Sequence, residues 1–350
     1  MSITESNTRA AVLIGRFQPY HKGHATLLRK ALDTARKVVI VLGSSFHARS
    51  DKNPFTWEER AAMISATLAE DERGRVTFVP MRDYYDDQRW SAAVRAGVER
   101  AAGSETGIAL IGHFKDASSY YLNRFPQWQL VTVERDEDID ATSLRRVLFE
   151  AEDIDISLDA IAARLPLAVR QYVKAWTMLP HYPRLVAEHA QLAKEKAAWS
   201  GAPYPPIFST VDAVVQTAGH VLLIQRGAHP GKGLWALPGG FLEQRERVLQ
   251  GAIRELQEET GLALLTSSLE ETLVDVCVFD HPDRSQRGRT ITHAHHFDLR
   301  TDHLPQVKGA DDAAAAKWIA IDRLAAMEDQ FFDDHFHILD HFLGLTVMPL

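Results

Sequence analysis

Five short apolar runs between residues 10 and 134 restrict the fold more than any other feature. They are AAVLIG (10–15), KVVIVLGS (37–44), VTFVPM (76–81), GIALIGH (107–113) and WQLVTVE (128–134). Runs of this length, rich in valine and isoleucine, suit strands buried on both faces. Segments with helical apolar spacing separate or follow them: GHATLLRKALDTAR (23–36), TWEERAAMISATLA (56–69), RWSAAVRAGVERAA (89–102) and TSLRRVLFEA (142–151). Thr56, with Glu59 three residues later, forms a capping-box pattern at one helix start. Strand–helix alternation of this kind predicts an α/β fold with a doubly wound parallel sheet.

The pattern changes after residue 157. LAVRQYVKAW (167–176) and PRLVAEHAQLAKEKAAW (183–199) are helical, and SGAPYPPIF (200–208) breaks any helix. Then come β-type runs, TVDAVVQTAGHVLLIQR (210–226), LEETLVDVCVFD (269–280) and TITHAHHFDLR (290–300), with one long helical pattern, RVLQGAIRELQEET (247–260). A chain of 350 residues suits two domains. We expect one over residues 1–185, a helical and proline-rich linker over 186–206, and a second, mixed α/β domain over 207–350. The net charge of −8 argues against nucleic acid as a partner, although a local basic pocket could still hold phosphates. The single cysteine, Cys277, excludes an intramolecular disulfide and a cysteine zinc cluster. The polar start MSITESNTRA has no hydrophobic signal core, and no apolar run approaches the ~18–20 residues that span a bilayer. A cytoplasmic protein with no membrane partner is expected.

Two stretches carry chemistry. In IGRFQPYHKGH (14–24), Gly15 permits close backbone approach after a strand, and Gly23 does so at a helix start. His21 and His24, three apart, share one face of the first helical turn and can donate to phosphate oxygens. On local pattern alone, a plain strand–helix turn with two incidental histidines is an equal alternative. The second stretch, GGFLEQRERVLQGAIRELQEETGL (239–262), reads G-x5-E-x7-R-E-U-x-E-E-x-G-U from Gly240, where U is aliphatic. Gly240, Glu246, Arg254, Glu255, Leu256, Glu258, Glu259, Gly261 and Leu262 fill its positions. Glu255, Glu258 and Glu259 fall at i, i+3 and i+4 and repel one another unless a divalent cation intervenes. Oxygen-only ligands favour Mg²⁺ or Mn²⁺. Arg254 is placed to orient a carboxylate such as Glu246, and Gly261 suits a left-handed helix cap. The bland rival is an exposed acidic helix with a core face of Val248, Ala252, Ile253 and Leu256.

The order G-R-F-Q-P-x-H-x-G-H resembles the HxGH nucleotidyltransferase superfamily, in the form of the nicotinamide mononucleotide (NMN) adenylyltransferases of archaeal and bifunctional bacterial type. SSFHARSDKNPFTWEER (44–60), DYYDDQRW (83–90), IGHFKDASSYYLNRFPQW (111–128) and DATSLRRVLFE (140–150) resemble later segments of the same family. The last departs from the SxTxxR form, with Asp140 or Ala141 where serine stands. The glutamate-rich stretch resembles the Nudix box. Together they resemble the bifunctional NMN adenylyltransferase/Nudix hydrolases.

That resemblance implies a Rossmann-like nucleotidyltransferase domain joined to a Nudix α/β/α domain. It implies NAD⁺ synthesis from NMN and ATP, and Mg²⁺-dependent hydrolysis of ADP-ribose to AMP and ribose 5-phosphate. Gly15, Arg16, Phe17, His21, Gly23, His24, Lys115, Thr142, Ser143 and Arg145 would hold ATP, with Arg16, His21, His24 and Arg145 stabilising charge at the reacting phosphate. Arg49, Tyr84 and Trp90 would bind NMN, Trp90 by stacking on the pyridinium ring. A half-buried aromatic at a helix start is the rival role for Trp90. Asp83 and Asp87 are substrate-loop or turn residues. Glu255, Glu258 and Glu259 would hold Mg²⁺ or Mn²⁺, the last two acting in catalysis, with Gly240, Glu246, Arg254 and Gly261 completing the box. No general base is singled out, but Glu328, Asp329, Asp333 and Asp334 form a late acidic stretch that could close over the site. His293, His295 and His296 alternate as strand positions, zinc binding being the rival reading, and Trp235 is core or a base contact. Expected partners are the small nucleotides ATP, NMN and ADP-ribose; self-association is left open. Alternatives are a non-hydrolytic sensor in the second half, another nucleoside diphosphate derivative as its substrate, or a different phosphate acceptor in the first.

Overall fold

The computed structural model describes residues 8–104, 106–112, 117–133 and 139–346, apart from the side chains of 117–120. The chain divides into two compact units, Met1–Val186 and Ala187–Leu350. In the first, β1 (Ala10–Gly15), α1 (Lys22–Thr34), β2 (Lys37–Leu42), α2 (Trp57–Ser65), α3 (Glu70–Arg73), β3 (Val76–Pro80), α4 (Asp87–Ala102), β4 (Ile108–Gly112), β5 (Gln129–Thr132) and α5 (Ala141–Phe149) follow one another. After them come α6 (Ile154–Ala160) and α7 (Leu167–Trp176), and the division between the units falls within α8 (His181–Ala198). All strand pairs are parallel, in the order β3-β2-β1-β4-β5.

Side-chain alternation sorts each strand between two cores. Ala11, Leu13, Ile40 and Leu42 pack with Leu28 of α1, Met63 of α2, Leu144 of α5 and Val169 of α7. Val12, Val39, Val41 and Leu110 pack with Val94 and Val98 of α4, Phe125 and Trp128. Both faces are covered, so the strands read as continuous apolar runs. Strand order reverses where β1 meets β4, and in such sheets the crevice at the strands' carboxyl ends takes the ligand.

The second unit runs β6 (Ile207–Thr217), β7 (His220–Arg226), β8 (Trp235–Ala236), β9 (Gly239–Phe241), α9 (Val248–Thr260), α10 (Thr266–Glu271), β10 (Leu273–Phe279), β11 (Arg289–Asp298), β12 (Ala313–Ala320), α11 (Ile321–Leu324) and α12 (His335–Leu343). Its mixed sheet is ordered β10-β11-β6-β7-β12, with β8 on β7 and β9 on β6. The apolar run 210–226 is two strands: Ala218 (φ 45°) and Gly219 (φ 73°) turn the chain in a two-residue hairpin. Ile253 and Leu256 of α9 pack on one sheet face with Ala213, Val215 and Leu222. Phe336, Ile338 and Leu339 of α12 pack with Val214, Val221 and Leu223. Among the described residues no helix is long and apolar enough to cross a membrane.

Leu256 is fully buried beneath the Nudix-like helix. Leu256→Ala should destabilise the second unit by ~2–5 kcal/mol. Urea denaturation checks this; an unchanged midpoint would mean that α9 does not share that core.

Candidate active sites

β1 ends at Gly15 and His21 caps α1, so the intervening loop lies at the carboxyl edge of the sheet. The space a Cβ would take at Gly15 is already occupied: it would stand 3.0 Å from the Phe17 ring. At Gly23 it would stand 3.2 Å from the His21 ring. The glycines therefore make room for the protein's own rings. His21 and His24 stack with centroids 3.7 Å apart, and Phe17 meets His24 edge-on at 4.7 Å. The His21 backbone N–H donates to His24 Nδ1 at 3.3 Å, which leaves Nε2 as the protonated nitrogen of a neutral His24.

Three guanidiniums gather around this loop. Arg16 is exposed. Arg145 is buried and donates to Gln18 O at 2.9 Å and Thr142 Oγ1 at 3.2 Å. Arg60, fully buried, donates to the carbonyls of Arg16 and Gly43, each at 2.6 Å, and of Ser44 at 3.3 Å. Burial, with the Arg16 charge added, pushes both buried guanidiniums down to about 10. This surplus of positive charge favours a polyanion. Asp140 caps α5 by accepting from Ser143 N at 2.9 Å, and Ser143 Oγ donates to Asp140 O at 3.0 Å. Asp140 thus takes the capping role at the position that departs from SxTxxR. Lys115 lies outside the described residues.

Residues assigned to the mononucleotide have partners within the protein. Arg49 donates to Glu59 through both Nη groups, at 2.5 and 2.9 Å, and to Pro54 O at 2.7 Å. Asp83 accepts from Ser44 Oγ at 2.6 Å and lies 3.3 Å from His47 Nε2. Tyr84 lies beneath the guanidiniums of Arg82 and Arg89. Asp87 pairs with Arg124. Trp90, in the first turn of α4, is partly buried against Tyr121 and Phe125 at 6.1 and 5.9 Å. Ser44, Phe46 and Tyr85, beyond the ends of β2 and β3, share positive φ with Phe17. Non-glycine residues held in that region cluster at functional sites.

In the second unit Arg254 gathers the box. It donates to Glu246 at 3.0 and 2.7 Å, and its Nη1 reaches Glu255 and Glu258, each at 2.9 Å. Glu259 is buried and accepts from Gly239 N at 2.8 Å. Burial and the neighbouring Asp312 carboxyl push Glu259 up to about 9, and burial pushes Glu255 up as well. Gly240 gives the Glu255 carboxylate its place, because a Cβ there would stand 2.5 Å from Glu255 Oε1 and push it aside. Gly261 takes the left-handed cap at φ 60°. Among the described residues no three acidic, histidine or cysteine side chains converge in a metal cage. Glu255 and Glu258 are turned onto Arg254, and Glu259 onto Gly239. The oxygen-only donors and the strained carboxylate charge nonetheless fit a hard divalent cation.

The late acidic stretch separates into distinct roles. Glu328 is buried and Asp329 is exposed. Asp334 forms a buried two-pronged pair with Arg284, both bonds 2.8 Å. Asp333 has a φ of 44° and lies among the charges of Arg226, Arg284 and Arg287. His295 and His296 are buried in β11, and His293 is half-buried. Trp235 is half-buried in β8, with Lys317 over its ring at 5.9 Å.

Family models match both units: a cytidylyltransferase-like domain over residues 12–147 and a NUDIX domain over residues 206–342. A nicotinamide/nicotinic acid mononucleotide adenylyltransferase from Acinetobacter baylyi is 43% identical over 41% of this chain and 77% of that protein. An ADP-ribose pyrophosphatase from Methanocaldococcus jannaschii is 37% identical over 33% of this chain and 62% of that protein. A bifunctional NMN adenylyltransferase/ADP-ribose pyrophosphatase from Francisella tularensis superposes with a TM-score of 0.86 and 37% identity. That match covers 95% of this chain and 98% of the other.

The chain belongs to the bifunctional NMN adenylyltransferase/ADP-ribose pyrophosphatase family. A second structure of the Francisella protein, 36% identical with a TM-score of 0.85, was determined with AMP and a manganese ion.

Some residues of this bifunctional enzyme escaped the sequence pattern. Arg60 had a readable signal, since it shares the buried face of α2 with Met63 and Ile64 at i, i+3 and i+4. Asp212 and His335 had none. Asp212 accepts from Thr292 Oγ1 at 2.5 Å, and His335 Nδ1 accepts from Leu237 N at 2.9 Å, holding the segment that enters the box. Burial pushes His335 down to about 4. The unfolded chain takes up this proton near pH 6.5, so the stability contributed is present above that pH and lost as pH falls through about 4. Acid should therefore lower the melting temperature over this window, and His335→Gln should flatten the decline, as read by calorimetry from pH 7 to 4.

Proposed function

We propose that the first unit transfers the adenylyl group of ATP to NMN, releasing pyrophosphate and NAD⁺, and that the second hydrolyses ADP-ribose to AMP and ribose 5-phosphate. The contrast in charge carries this reading. The first unit crowds Arg16, Arg60 and Arg145 around the stacked histidines. The second crowds Glu255, Glu259 and Asp312 beneath a glycine strand.

In the transferase, an NMN phosphate oxygen forms a bond to the α-phosphorus as the bond to the bridging oxygen of pyrophosphate breaks. Little proton transfer is required, so positioning and charge stabilisation dominate. Arg16 and Arg145, with Nε2–H of His24 and the His21 ring, hold the phosphate oxygens, and Thr142 and Ser143 present hydroxyls at the amino end of α5. Trp90 offers its exposed portion to the pyridinium ring. Arg49 binds the mononucleotide phosphate only by sharing or leaving Glu59.

In the hydrolase, Glu255, Glu258 and Glu259 would hold Mg²⁺ or Mn²⁺, which supplies charge neutralisation at the diphosphate and an acidified water. Arg254 keeps Glu246, Glu255 and Glu258 oriented until they are recruited. Water oxygen forms the new bond to phosphorus as the phosphoanhydride bond breaks. The single cysteine supports a reducing, cytoplasmic setting, and the net negative charge supports small nucleotides as partners over nucleic acid.

Glu258→Gln should lower ADP-ribose turnover by ~10²–10³-fold, with NAD⁺ synthesis by the same preparation unchanged. Absence of hydrolysis in the wild type with Mg²⁺ or Mn²⁺ would favour a sensor. Trp90→Ala should raise KM for NMN by ~10-fold and that for ATP little, in keeping with a lost stacking contact. Equal changes in both constants would count against stacking.

A further inference from the structure

Two guanidiniums in the second unit are left with open donors. Arg226, at the end of β7, lies 4.3 Å from the Phe332 ring centroid. Arg287 lies 5.0 Å from the Phe241 centroid and 5.9 Å from that of Phe332. Among the described residues, the hydrogen bonds of the Arg226 side chain are limited to Nε donating to Pro230 O at 2.8 Å. Arg287 Nε is buried with no hydrogen-bond partner. The Nη groups of both residues make no hydrogen bond among the described residues and are not closed off as Arg287 Nε is, so both forks keep donors for an acceptor from outside. The third guanidinium, Arg284, is paired through Nε and Nη2 with Asp334. Asp333 is the countercharge near Arg226 and Arg287, one carboxylate against two cations.

The pair adjoins the catalytic helix on two sides. Gly227 N, one residue beyond Arg226, donates to Asp312 O at 2.9 Å, and the Asp312 carboxyl neighbours Glu259. The carbonyl of Phe241, beneath Arg287, accepts from Arg254 Nη2 at 3.4 Å. The aromatic plates are themselves fixed. A Cβ at Gly231 would stand 2.2 Å from the Phe332 ring, and Phe332 N donates to Trp235 O at 2.9 Å.

We propose that Arg226 and Arg287, seated on Phe332 and Phe241, form the clamp that grips the diphosphate oxygens of the hydrolase substrate. This rests on the hydrolase reading above. The forked guanidinium geometry suits two-oxygen recognition, and the ring faces hold it in plane.

The test uses the full chain with Arg226→Gln, Arg287→Gln and Arg287→Lys. Each Gln variant should raise KM for ADP-ribose ~10–100-fold, and the Lys variant less. Mn²⁺ affinity, measured by electron paramagnetic resonance, and NAD⁺ synthesis should stay at wild-type values. Unchanged KM in both Gln variants overturns the clamp. A parallel loss of Mn²⁺ affinity also overturns it, because the residues would then be supporting the carboxylates. Should the wild type cleave no ADP-ribose, the hydrolase reading fails separately, and calorimetric binding of ADP-ribose decides. Wild-type binding abolished in the Gln variants upholds the clamp; binding retained in them, or absent from the wild type, overturns it.

Discussion

The first unit depends on a buried arginine. Taking a guanidinium out of water costs several kcal/mol unless its donors are filled. Arg60 fills them with the carbonyls of Arg16, Gly43 and Ser44, the residues where β1 and β2 stop. One side chain on α2 thereby ties together two loops that no strand pairing reaches. The network extends from there. Gln18 pairs through its amide with both backbone groups of Phe55, at 2.8 and 3.0 Å, and Arg145 takes Gln18 O. The nucleotide loop is thus held from α2, α5 and the β2 loop together, which lets Phe17 and Ser44 persist at positive φ.

The second unit reverses the signs. There an arginine on the surface of α9 collects carboxylates, and the buried charge is Glu259. Carboxylates gather around Arg254 on one patch, and guanidiniums gather around Asp333 on another. Glu255, Glu259 and Asp312 make the first patch; Arg226 and Arg287 make the second. Arg284 and Asp334, paired to each other, stay out of both.

Much of this was legible where the signal is local. Strand and helix periods placed β1, β2, α4 and α9 within a residue or two, because burial on known faces dictates those periods. The glutamate spacing placed Glu255, Glu258 and Glu259 on one helix for the same reason. Illegible features depend on what the fold brings together. Nothing near Arg49 announces that Glu59, already the capping-box residue of α2, also receives its guanidinium. Asp312 comes from a loop without periodicity, yet its carboxyl raises the proton affinity of Glu259. Phe332 and Phe241 read as ordinary apolar residues until the fold sets Arg226 and Arg287 over them.

Gly240 has a consequence at the level of heredity. Its missing side chain is what lets β9 lie against Glu255, whose carboxylate would otherwise be displaced. The residues of the loop after β1 lie in a different unit. One added methyl group, the outcome of a single-base change from a glycine to an alanine codon, would therefore move the Glu255 carboxylate of the second unit. The smallest heritable change open to that codon thus reaches a charged group of the box directly, without first passing through the packing of a core.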